Sequence, residues 1–159
     1  MKNYMFRIIS IFTAVVFVVC IDGCQNKTQD VEMIIIRNYV REIYYEDRVD
    51  FLHMIYERAG PLSTSVLAKD NNYIFVCDLC EKKTTEFFRA VKKSRLLFWE
   101  DEYLPEHEIY DGLQWEIIIM FTDSTKKVIY GDNSYPDTWN KMAEAFEELT
   151  NHIIINRVN

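Results

Sequence analysis

Glycine and proline are scarce, with four and three residues in a chain of 159. That excludes collagen-like repeats and Pro/Gly-rich linkers. No internal repeat or low-complexity tract is present either. Runs of Lys or Arg never exceed two residues, and the net charge is −7. Without a basic stripe there is nothing to track phosphates, and the acidic balance argues against nucleic acid and anionic lipid as partners. The uncharged run Ile8 to Ile21 stops short of the roughly 20 residues that a spanning helix needs. A Gly-x-Ser-x-Gly elbow, a phosphate loop, an HExxH pair and a dinucleotide fingerprint are all missing, so no cofactor is implied. The chain has one CxxC, and His53, His107 and His152 are scattered, so no metal ligand set assembles in sequence.

The N-terminus carries the strongest pattern. Lys2 and Arg7 form a basic head, the apolar run follows, and Ile21-Asp22-Gly23 leads into Cys24. Basic head, short apolar core and abrupt stop are the layout of an export signal rather than of a core helix. The order resembles a bacterial lipoprotein signal, whose lipobox closes on an acylated cysteine. Ile21 and Gly23 fit that pattern, whereas Asp22 stands where a small or apolar residue is usual. Cys20 fits less well, because Val19 precedes it. The resemblance implies a signal peptide over 1–23 and lipidation of Cys24 with fatty acyl chains such as palmitate. Residues 24–30 would then be the lipidated cysteine and its polar tether, and 31–159 a single globular domain. Two or more acyl chains make anchoring stable. The expected place is the bacterial cell envelope, with the chain held to a membrane, the outer one by preference. The domain would then lie in the periplasm or at the surface.

Loss of residues 1–23 would remove two bases and one acid, leaving the remainder slightly more acidic. It also removes Cys20. With Cys24 acylated, Cys77 and Cys80 remain as an even pair in an oxidising compartment.

The expected fold class is α+β: an antiparallel sheet built from hairpins, with two or three helices packed on one face. Val31 to Tyr45 is apolar all round. Its β-branched residues favour a strand, but Glu32, Arg37, Arg41 and Glu42 have helical spacing, and a helix is expected. Phe51 to Tyr56 reads as a strand and Ala59-Gly60-Pro61 as a turn. Thr64 to Ala68 and Tyr73 to Asp78 read as a hairpin about Asp70-Asn71-Asn72. Thr84 is the expected cap of a helix running to about Leu97, with Phe87, Phe88, Val91 and Phe98 as its stripe. Gln114 to Thr122 alternates as a half-buried strand should, and Asp123-Ser124 turns it into Lys126 to Tyr130. Pro136 suits the start of a last helix, whose stripe is Trp139, Met142, Phe146, Leu149 and Ile153.

Cys77-Asp-Leu-Cys80 is the one motif with chemistry in it. It lies between a strand and a helix, where thioredoxin-like enzymes place a reactive pair and a helix N-terminus stabilises a thiolate. Against this, Asp78 should raise a neighbouring thiol pKa, residues separate Cys80 from a helix beginning near Thr84, and no βαβ unit flanks the pair. A candidate disulfide requires the strand to turn at Asp78, because Cα atoms of an extended x-x pair lie about 10 Å apart. A local disulfide or two half-buried thiols is the preferred reading. The acidic stretch Glu100, Asp101, Glu102, Glu106, Glu108 and Asp111 matches no calcium loop and reads as a solvated loop. Carboxylate pairs for glycoside hydrolysis could be drawn from it, but sequence gives no separations.

Aromatic residues make up 14% of the chain. Tyr103, Tyr110, Trp115, Tyr130, Tyr135 and Trp139 flank two loops. Tyr103, Tyr110, Trp115, Tyr135 and Trp139 are candidate ligand contacts, and packing between sheet and helices is the competing reading. Trp99, Asp111-Gly112-x-x-Trp115 and Gly131-x-Asn133-x-Tyr135-Pro136, followed by an amphipathic helix, resemble short uncharacterised domains of Bacteroidetes-type envelope lipoproteins. That resemblance spans Trp99 to Leu149 and implies no activity. The sequence reading is therefore an envelope lipoprotein that acts as a non-catalytic binding or accessory module, tied to the membrane through lipid, with a protein or small-molecule ligand. The alternative is a thiol–disulfide redox protein using Cys77 and Cys80.

Overall fold

The structure is a computed structural model and describes residues 30–40, 43–63, 73–107 and 112–158. The signal segment, Cys24, the strand expected over 64–68, the turn over 70–72 and Tyr110 lie outside these residues. No described helix is long and apolar enough to cross a membrane.

Residues 31–40 and 43–45 form strands rather than a helix. β1 (Val31–Val40) pairs antiparallel with β2 (Ile43–Asp50), from Met33 opposite Asp50 to Val40 opposite Ile43. Of the charges that suggested helical spacing, Arg37 finds partners across the sheet instead: it sits opposite Glu46 on β2 and Glu116 on β6 (Gln114–Phe121). Three consecutive isoleucines, stiff at χ1, also favour extended backbone.

The turn after β2 covers Phe51–Met54, so the strand expected there begins later, as β3 (Ile55–Ser63). Asp50 organises this turn by accepting the backbone N–H of His53 at 2.9 Å. Gly60 and Pro61 lie within β3 and do not end it. The β2–β3 register shifts between Tyr44 and Glu46, opposite Gly60, whose φ is 123°. A residue without Cβ takes up that bulge. β4 (Ile74–Asp78) pairs with β3 only as far as Arg58, so Pro61 removes no donor that the β3–β4 ladder uses.

Seven strands form one sheet in the order β4-β3-β2-β1-β6-β7-β5. β7 (Lys126–Asp132) closes a hairpin with β6, and β1 joins that hairpin to the β2–β3–β4 meander. β5 (Glu102–Tyr103), inside the expected acidic loop, runs parallel to β7. The sheet is therefore mixed, not purely antiparallel.

Two α-helices are described. α1 (Glu81–Ser94) begins three residues before the expected Thr84. Thr84 is inside it, its hydroxyl donating back to the Cys80 carbonyl at 3.1 Å. Thr84, Phe87, Val91 and Ser94 form its buried stripe. Arg95, at φ 56°, ends it, and a single 3-10 turn over Leu96–Phe98 follows, leaving Phe98 exposed. α2 (Trp139–Thr150) starts after Pro136 and stops at Asn151 in the left-handed region, so Ile153 lies beyond the helix and is 62% exposed.

The core lies between the helices and one sheet face. Ile34 and Ile36 of β1, Val49 of β2, Tyr56 of β3, Trp115, Ile117, Ile119 and Phe121 of β6 and Ile129 of β7 are buried there. Phe87 packs against both Phe51 and Phe146, joining α1 to the β2–β3 turn and to α2. The segment after α2 folds back over this layer. Ile153 and Ile154 accept hydrogen bonds from Arg58 and Asn38 at 3.1 Å each, and Asn156 accepts one from the Trp139 indole at 2.9 Å.

Candidate functional site

The aromatic candidates form an interior cluster, not a solvent-facing surface. Trp115 and Trp139 are 0% and 1% exposed, with ring centroids 4.4 Å apart. Tyr135 packs on both, Tyr103 on Trp115 and Trp99 on Trp139. Each indole N–H is satisfied internally. Trp115 donates to the Ser134 carbonyl at 3.1 Å, and Trp99 to the Thr138 hydroxyl at 3.0 Å. Trp115 and Trp139, candidate contacts by sequence, are buried with internal partners and pack between sheet and helices, as the competing reading has it. Tyr103 and Tyr135 are half-buried in the same stack.

The described part of the acidic stretch is also dispersed, and Glu108 and Asp111 lie outside the described residues. Asp101 takes Lys127 at 2.6 Å, Glu102 belongs to β5, and Glu100 and Glu106 are exposed. Among the described residues no three His, Cys, Asp or Glu side chains gather closely enough to hold a metal ion.

Two charged groupings were not foreseen. On the sheet face away from the helices, Glu46 is 1% exposed and receives Arg37 Nε at 2.7 Å and the Tyr73 hydroxyl. Arg37 extends to Glu116 at 2.8 Å, bridging three strands. Burial pulls the Arg37 guanidinium down, but the bonds and charges of Glu46 and Glu116 outweigh it and leave its pKa raised. Arg48 pairs with Glu57 beside this ladder and stacks on the Tyr73 ring at 4.1 Å. On the helix face, buried Asp47 accepts the Tyr56 hydroxyl and Arg58 Nε, both at 2.6 Å. Burial, then the bond to Asp47, pushes the Tyr56 phenol up. The sequence signal was Glu46-Asp47-Arg48 within an otherwise alternating strand, which sends successive charges to opposite faces.

The cysteine pair is placed differently from expectation. β4 ends at Asp78, and Cys80 is the N-cap of α1 with no residues between. Cys77 and Cys80 are both free thiols. Cys77, half-buried, points its sulfur at the carbonyl of Thr150, the last residue of α2, at 3.7 Å. Burial, then the charge of Asp78, pushes its thiol up. Cys80 is exposed. The backbone N–H groups of Lys83 and then Lys82 pull its thiol down. The two sulfurs thus lie at opposite kinds of helix end, one at the carbonyl end of α2 and one at the amide end of α1.

The chain matches no family model, no curated protein and no solved structure.

Proposed function

We propose that this protein is a cell-envelope lipoprotein, tethered through acylated Cys24, whose domain is a non-catalytic binding or accessory module. The observation that carries the reading is the order of the N-terminus: basic head, short apolar run, Gly23 and Cys24. The domain fits it. Its buried ionisable groups are bonded within the sheet and its turns: Glu46 to Arg37, Asp47 to Tyr56 and Arg58, and Asp50 to His53 in the β2–β3 turn. Expression of the full chain in a bacterial host fed labelled palmitate tests this. Label should map to Cys24 and vanish in C24A. An unlabelled Cys24 overturns the anchoring.

A second reading, a thiol–disulfide protein using Cys77 and Cys80, is favoured by the position of Cys80 at the N-cap of a 14-residue helix with its sulfur exposed.

A further inference from the structure

We propose that the pair works in reverse chain order: Cys80 is the attacking thiolate and Cys77 the resolving thiol, and the substrate is a low-molecular-weight disulfide. This rests on the second reading above and assigns its order and its substrate class.

The argument starts from the two helix ends. The first N–H groups of a helix lack intrahelical partners and the last carbonyls lack donors. Cys80 precedes the first turn of α1, and its own carbonyl already accepts the Thr84 N–H at 2.9 Å, so α1 is closed directly behind it. Cys80 makes no side-chain cap bond, but its exposed sulfur sits at the amide end of α1, whose Lys83 and Lys82 N–H groups favour the anion. Cys77 faces the opposite environment. Its sulfur meets the Thr150 carbonyl, an acceptor that favours a protonated thiol. It stands on β4 opposite Tyr56, under the start of the C-terminal segment. Lys83 links the two ends, its Nζ donating to Asn151 at 2.6 Å. One sulfur is therefore exposed and held as a nucleophile, while the other is shielded and held protonated. Because Cys80 is open to solvent, its substrate needs only an S–S bond reachable from solution.

The steps balance as follows. The Cys80 thiolate attacks one sulfur of R–S–S–R, forming Cys80–S–S–R and releasing RS⁻, which takes a proton from water. Cys77 gives up its proton to water and its bond to Thr150, then attacks the Cys80 sulfur. The Cys77–Cys80 disulfide forms and the second RS⁻ leaves. The substrate disulfide gains two electrons and the protein dithiol loses them. β4 ends at Asp78, and the closure requires the two Cα atoms to come within about 7 Å.

The test uses the purified, reduced full chain, glutathione disulfide as the probe, and peptide-level mass spectrometry, which separates Cys77 and Cys80 from Cys20 and Cys24. In C77S, glutathione should accumulate on Cys80. In C80S, Cys77 should remain free. The wild type should pass to an internal Cys77–Cys80 disulfide. Brief iodoacetamide labelling of the wild type, which needs no variant to fold, should modify Cys80 about tenfold faster than Cys77. Glutathione collecting on Cys77 in C80S, with Cys80 inert in C77S, overturns the order while leaving a redox pair. No adduct on either sulfur overturns the order and the redox reading together, and leaves the lipid-anchored module untouched.

Discussion

Glu46 is an acid that the fold has removed almost wholly from water, and Arg37 and Tyr73 are what make that tolerable. An ion pair of this kind contributes little over a hydrophobic replacement, but losing one partner strands the other charge. Arg37 is 28% exposed, so solvent screens part of the effect. R37A should lower the stability of the domain by about 2 to 3 kcal/mol, read as an earlier urea midpoint with unchanged slope. E46Q should cost clearly less, because the amide oxygen can still accept from Arg37 while the amide NH2 donates to the Tyr73 hydroxyl in place of the acceptor it replaces. Equal losses in the two variants would mean that the ladder matters only as packing. The Arg58–Asp47–Tyr56 grouping obeys the same logic on the other face of the sheet, one residue along β2.

Among the elements, those whose partners are local were the ones legible in sequence. β6, β7 and α2 announce themselves by period, since the buried residues of each are set by one flat face or one helical stripe. β1 did not, because its deciding interactions join Arg37 to Glu116, far along the chain, and the same charges happen to fit a helical spacing. Gly60-Pro61 was read as a turn because sequence cannot tell a bulge from a corner. Of the candidate site, the cysteine pair was legible as a motif, while the role of Cys80 as a cap was not, since Thr84 is the better cap by residue type. Gly131 shows how closely these elements fit. A Cβ there would run into the ring of Trp115, which is itself wedged against Trp139 and Tyr135. G131A should therefore destabilise by about 1 to 3 kcal/mol through overpacking, with a change in near-ultraviolet circular dichroism from the displaced indoles. An unchanged aromatic spectrum and melting temperature would show that the stack can give way freely.

At the scale of the whole molecule, the described helices cover one face of a seven-stranded sheet, and the other face carries the Glu46–Arg37–Glu116 ladder. The placing of β1 at the centre has a kinetic consequence. Its β2 side is completed by the next strand in sequence, whereas its other side waits for β6, which follows both β4 and α1. Closing that gap fixes much backbone before any pairing rewards it, so refolding should fall in the millisecond-to-second range of non-local β topologies. Stopped-flow fluorescence of the buried tryptophans would check this, and a microsecond phase carrying the full amplitude would contradict it. Until β6 arrives, one edge of β1, with its three isoleucines, is an unpaired template for other chains. If the domain is exported as proposed, the dangerous interval is set by the time between the emergence of Val31 and that of Phe121. Its length depends on the rate of translocation as much as on the stability of the finished fold.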